Sequence, residues 1–205
     1  PYQARINNPN ENVRLYMTAA LAEQGTYLID DYRARWGWVN DCAVREGHYY
    51  SVKAPATSFL GVPIYWAYLQ VVEATSLEFD RTVALWLLRV FASILPWLVF
   101  LWFFHGWLGR QTSSPLVRDA VFSSVALGSC LYGYGMLFMS HTLSAAAAFG
   151  AFMLLHDAKH AARIRVTRAF LAGLLTAGIT LLEYPGFVAS AALTISDIPF
   201  DGPIA

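Results

Sequence analysis

Four long apolar stretches follow residue 80: Thr82 to Leu108, Ala120 to Met139, Thr142 to Leu155 with helical flanks, and Ala169 to Thr194. A helix needs roughly 20 mostly apolar residues to cross a hydrocarbon core of about 30 Å, so each stretch is a candidate span. Charge is correspondingly scarce. Of 205 residues, 57% are apolar and 14% charged, against roughly 25% charged in a soluble domain, which leaves too little polar surface to enclose so much Leu, Ala, Phe and Trp. The expected fold class is all-α, a polytopic transmembrane helical bundle. A net charge of zero gives no field for nucleic acid, which is not expected as a partner.

A fifth stretch, Phe59 to Val72, is shorter at 14 residues, contains Pro63 and Gln70, and suits a juxtamembrane or re-entrant helix. Before it the chain is polar. Residues 1 to 53 carry six of the fourteen basic and six of the fourteen acidic side chains. The stretch Asn7-Asn8-Pro9-Asn10 favours turns, and an amphipathic helix is expected from about Glu11 to Tyr27, capped by Asn8 or Asn10 and ending near Gly25. The expected division is residues 1–55 as an extracytoplasmic loop with an amphipathic helix, 56–80 as a juxtamembrane or re-entrant helix, 81–195 as four transmembrane helices, and 196–205 as a truncated tail. A start on Pro1 and an end directly after an apolar run are expected of a piece of a longer chain. Cys42 and Cys130 are expected to be unpaired.

Loop charge orients the spans. Arg110 and Arg118 lie in one loop, and Lys159, Arg163, Arg165 and Arg168 in another, two spans apart. The two loops are therefore expected on one side, the cytoplasm. Ser140-His141 and the region around Glu183 then face the other side.

Glu183, in Leu181-Leu182-Glu183-Tyr184-Pro185-Gly186, is ionisable within an apolar run, which costs on the order of 3 kcal/mol at mid-membrane and marks a candidate functional group. Pro185 interrupts the helix ladder beside it. Arg89 either snorkels to the outer surface or pairs with a buried acid. His141 at the outer hairpin is read as solvated or as a donor near a site, and the tryptophans as packing and belt residues. The densest polar stretch, Asp41 to Lys53, brings a carboxylate, His48, Tyr49, Tyr50 and Lys53 together just before Pro55 and the apolar segment. Lys53 can neutralise a phosphate, Tyr49 or Tyr50 can donate to its oxygens, and a lipid tail can run along Phe59 to Val72. Neither a metal-ligand spacing nor a nucleotide fingerprint is present, so no metal or cofactor is expected.

Asn10-Glu11-Asn12-Val13-Arg14-Leu15, then Gly25, Asp30 and Asp41, then Gly47-His48-Tyr49-Tyr50-Ser51-Val52-Lys53-Ala54-Pro55, and Glu183-Tyr184-Pro185 together resemble the bacterial GT-C membrane glycosyltransferases. That group is related to the protein O-mannosyltransferases and the lipid A aminoarabinose transferase. Many relatives have paired acids where this chain has Asn10-Glu11. The resemblance implies an enzyme of the bacterial inner membrane that moves a sugar from a polyprenyl-phosphate donor to a glycan, lipid or protein acceptor on the extracytoplasmic side. Glu11 and Asp41 would be catalytic, Glu11 as the base. Lys53 would clamp the leaving phosphate, with His48, Tyr49, Tyr50 and Glu183 binding substrate. The competing expectation is a multi-span transporter or flippase that uses Glu183 as an intramembrane ion or proton site.

Overall fold

The computed structural model describes residues 8–159 and 166–196. Arg163, Arg165 and residues 197–205 of the expected tail lie outside them. Helix accounts for 77% of the structure. Both cysteines are free.

Helix α1, Pro9–Gln24, starts where Asn8 accepts a hydrogen bond from the Asn10 N–H at 3.1 Å, with Pro9 in the first turn. It stops at Gly25, whose φ of 64° is a left-handed conformation that glycine adopts freely. Its burial is not that of a half-wetted amphipathic helix. From Val13 to Ala20 every side chain is buried, Arg14 included, and Glu11 is buried too. A short helix, α2 (Asp30–Trp36), follows, and then an antiparallel hairpin of β1 (Cys42–Arg45) and β2 (His48–Ser51). Glu46 and Gly47 make its two-residue turn, both with positive φ, the geometry that matches the twist of the strands. Helix α3, Ala56–Thr75, is 20 residues long and runs through Pro63, so it extends beyond the expected Phe59 to Val72.

Helices α4 (Arg81–Leu88) and α5 (Leu95–Gln111) are joined by a π-helical turn, Arg89–Ile94, into one continuous helix of 31 residues, Arg81–Gln111. Among the described residues it is the one helix long and apolar enough to cross a membrane. The expected continuous segment Ala120 to Met139 is instead two pieces, α6 (Pro115–Ala126) and α7 (Cys130–Gly135). Between them Ser129 accepts from the Leu131 N–H at 3.3 Å and donates to the Val125 carbonyl at 2.8 Å, closing one helix and opening the next. Helix α8, His141–Lys159, agrees with the third stretch and its flanks.

The fourth stretch also departs from expectation. Helix α9 (Val166–Leu182) ends at Glu183, a 3₁₀ turn spans Tyr184–Gly186, and α10 (Phe187–Ser196) folds back along α9. Ser190 on α10 donates to the Thr176 carbonyl at 2.7 Å and its hydroxyl lies 3.1 Å from that of Thr180. A Cβ at Gly186 would sit 2.7 Å from Ile179 Cγ2 and 2.9 Å from its carbonyl, so the reversal requires glycine. The main core joins α1, α3, α4 and the loop before α8 through Val13, Tyr16, Tyr65, Leu85, Leu88 and Phe138. Gly61 permits that approach, since a Cβ there would lie 3.0 Å from both Leu88 and Phe138.

Candidate functional site

Two charged assemblies lie at the same end of the helices. The deeper one is Glu11 with Arg89. Arg89 Nε donates to Glu11 Oε1 at 2.8 Å and its Nη2 to Oε2 at 2.6 Å, while the Phe138 N–H donates to Oε1 at 2.8 Å. The side chains are 1% and 3% exposed. Arg89 opens the π-helical turn, the kind of local widening that re-aims a side chain at the cost of ladder geometry. Both oxygens of Glu11, expected from sequence as a base, are thus engaged by Arg89 and the Phe138 N–H in a buried pair. The acid itself is buried although its neighbours Asn10 and Asn12 are half-buried, because it points toward Arg89 and the Phe138 amide.

The second assembly is open to the surface. Arg14, one helical turn after Glu11, donates to Ser140 Oγ at 2.5 Å and to the Ala54 carbonyl at 3.4 Å, and its Nη2 lies 3.9 Å from Glu183 Oε1. Burial pushes the Arg14 guanidinium below its ordinary range, and the carboxylates of Glu183 and Asp41 pull it back up. Arg14 is 3% exposed, and its Nε has no partner among the described residues. Ser140 donates in turn to Glu183, and His141 Nδ1 lies 2.9 Å from the same Glu183 Oε1. The 3₁₀ turn carries Glu183 here by ending α9 at this point. On the other side of Arg14, Lys53 Nζ pairs with Asp41 Oδ2 at 3.0 Å, both groups partly exposed. The hairpin sets that pair: Asp41 directly precedes β1, Lys53 follows β2, and the Val52 N–H donates to the Asp41 carbonyl at 3.4 Å.

Asp41, Lys53 and Glu183, all expected from sequence, therefore meet around Arg14. His48, Tyr49 and Tyr50 do not join them. His48 sits at the hairpin tip, on the order of 15 Å along the strand from Lys53, with Nδ1 3.4 Å from Asp30 Oδ2. Tyr49 lies beneath the Arg33 guanidinium at 3.7 Å and donates its N–H to Asp30 Oδ1 at 3.2 Å. Tyr50 bridges Leu28 through its backbone. These three fasten the hairpin to α2 and the residues just before it, apart from the Asp41–Lys53 pair. Sequence reasoning missed Arg14 and Ser140. The available signal was a pair of opposite charges, Glu11 and Arg14, three residues apart at the head of a helix whose following turns, Leu15 to Leu21, are mostly apolar.

Among the described residues no group of three or more His, Cys, Asp or Glu side chains is arranged to hold a metal ion. An apolar cavity of about 220 Å³ lies between α5, α6, α7 and α8, lined by Trp97, Phe100, Phe104, Val125, Leu131 and Phe149 among others. Comparison with protein-family models, curated proteins and solved structures found no match for this chain.

Proposed function

We propose that the protein is a polytopic membrane glycosyltransferase of the GT-C type, which moves a sugar from a polyprenyl-phosphate donor to an acceptor on the extracytoplasmic face of the bacterial inner membrane. The observation that carries this reading is the convergence of two cations, Arg14 and Lys53, with two carboxylates, Asp41 and Glu183, at a surface-open end of an apolar helical body. Breaking a sugar–phosphate bond leaves charge on the departing phosphate, and fixed cations stabilise that charge. Arg14 offers a planar fork and Lys53 a mobile point charge. Asp41 keeps Lys53 aimed until the phosphate arrives, and the buried Glu11–Arg89 pair holds α1 so that Arg14 stays in register. The cavity beside Trp97 suits part of an isoprenoid chain, alongside the apolar face of α3.

Orientation and lipid contact support the same reading. Arg110 at the end of α5 pairs with Asp157 near the end of α8 at 2.9 Å, so these two helix ends lie together, at the opposite end of α8 from His141. Only 39% of the most apolar window of Arg81–Gln111 is buried, unlike the core helix of a soluble protein. Trp102, Phe103, Phe170, Leu174, Phe187 and Val188 are exposed on the outside of the same body.

The test is transfer in vitro by the intact protein, using polyprenyl-phosphate hexoses and pentoses. Arg14→Ala and Lys53→Ala are each expected to lower transfer about 10- to 100-fold, the worth of one charge-assisted hydrogen bond; wild-type rates in both variants sink the assignment. A transporter reading draws on the interrupted helix at Tyr184–Gly186. Proton or ion flux abolished by Glu183→Gln, with no sugar transfer by the wild type, would establish it instead.

A further inference from the structure

We infer that His141, oriented by Glu183, is the general base that takes the acceptor's proton in this site. The inference rests on the glycosyl-transfer reading and adds to it the one group that reading lacks. Glu11 is sealed in its pair with Arg89, and Asp41 is neutralised by Lys53 at 3.0 Å with Arg14 close by. Neither acid is free to accept a proton from a bound hydroxyl. His141 is. It is 43% exposed, at the rim of the same cluster, and it opens α8.

The geometry fixes the ring. Nδ1 lies 2.9 Å from Glu183 Oε1, so the carboxylate holds Nδ1 in its protonated form, and the lone pair then resides on Nε2. Glu183 is itself held by the Ser140 hydroxyl and by Arg14. The Tyr134 ring from α7 meets the imidazole edge-to-face, with centroids 4.9 Å apart. The groups facing His141 are thus Glu183 from the end of α9, Arg14 from α1 through Ser140, and Tyr134 from α7. Glu183, in contact with Nδ1, stands where it can stabilise the positive charge that proton transfer leaves on the ring. This is the division of labour of a carboxylate–imidazole dyad.

In the transfer step the acceptor O–H gives its proton to Nε2 while its oxygen forms the bond to the anomeric carbon. The anomeric C–O bond to phosphate breaks, and its electron pair leaves with the phosphate, which Arg14 and Lys53 hold. The imidazolium then returns its proton to water, restoring the starting state.

The test uses the intact protein in nanodiscs, with short-chain polyprenyl-phosphate hexoses and pentoses as donors and water as the acceptor. His141→Ala is expected to slow turnover by about 10²- to 10⁴-fold without changing donor binding, to remove the acidic limb of the pH–rate profile, and to recover in part with added imidazole. His141→Gln can still donate to Glu183 but cannot take a proton, so it should unfold thermally like the wild type and turn over as slowly as His141→Ala. ¹⁵N spectra of labelled histidine should show His141 as the Nδ1–H tautomer, lost in Glu183→Gln. If His141→Gln turns over at the wild-type rate while Arg14→Ala and Lys53→Ala remain slow, the base assignment is overturned and the transfer reading stands. If all of these variants turn over like the wild type, or if the wild type makes no product, both fall.

Discussion

Glu11 and Arg89 show how a charge can be visible in a sequence while its task is not. Arg89 inside an apolar run demanded a buried acid or an escape to the surface, and the acid is Glu11, 78 residues away. The resemblance drew Glu11 toward catalysis, and packing joins it to Arg89 and the Phe138 amide in the interior. Removing one member leaves the other buried and uncompensated. Glu11→Gln or Arg89→Met should therefore lower stability by about 3–5 kcal/mol, and replacing both with apolar residues should cost far less; thermal unfolding in detergent distinguishes these outcomes. Arg14 escaped notice because a polar residue on a presumed amphipathic helix reads as solvated, and only the tertiary burial of α1 shows otherwise. A second group at this scale gives a pH dependence. Burial, then the charges of Glu23 and Asp31, push the Tyr32 phenol well above its ordinary range. The folded state thus prefers the neutral phenol, and its contribution is complete below the unfolded pKa of about 10 and is lost as pH rises beyond it. Tyr32→Phe should flatten that alkaline loss of stability in a melting-temperature series.

At the scale of elements, local chemistry was legible wherever a single residue type forces a conformation. Asn8, Pro9 and Gly25 bound α1 as their capping preferences require. The breaks in the apolar stretches were not read, because hydropathy registers length and not direction. Leu127-Gly128-Ser129 divides α6 from α7, and Tyr184-Pro185-Gly186 turns one apparent span into a helical hairpin. The two-stranded hairpin went unread for a different reason: its Glu46-Gly47 turn is a weaker signal than Asn-Gly, and its short strands sit among charges. Gly186→Ala tests the reversal directly. Its new methyl meets Ile179, so a loss of about 1–3 kcal/mol is expected. Because the turn also aims Glu183, transfer should fall more than stability alone explains, measured as rate per folded molecule.

Across the whole molecule, the loop charges anticipated that residues near 110 and 157 would lie together, and Arg110 does pair with Asp157. The convergence of Asp41, Lys53 and Glu183 was beyond it, because those groups come from separate parts of the chain and meet only through the packing of α1. Topology is testable by labelling. In a background with Cys42→Ser and Cys130→Ser, a cysteine at Ser51 should react only with extracytoplasmic reagent and one at Arg110 only with cytoplasmic reagent. The reverse pattern would place the cluster on the wrong side for a lipid-linked donor. The contacts of Glu11 also set a schedule for biosynthesis. Its arginine partner is made 78 residues after it, and its backbone donor at Phe138 127 residues after it. Helix α1 can therefore complete the pairing of its buried acid only after the segments bearing Arg89 and Phe138 have both been made. An element made early is thus finished late, because the partners of its buried acid lie far downstream.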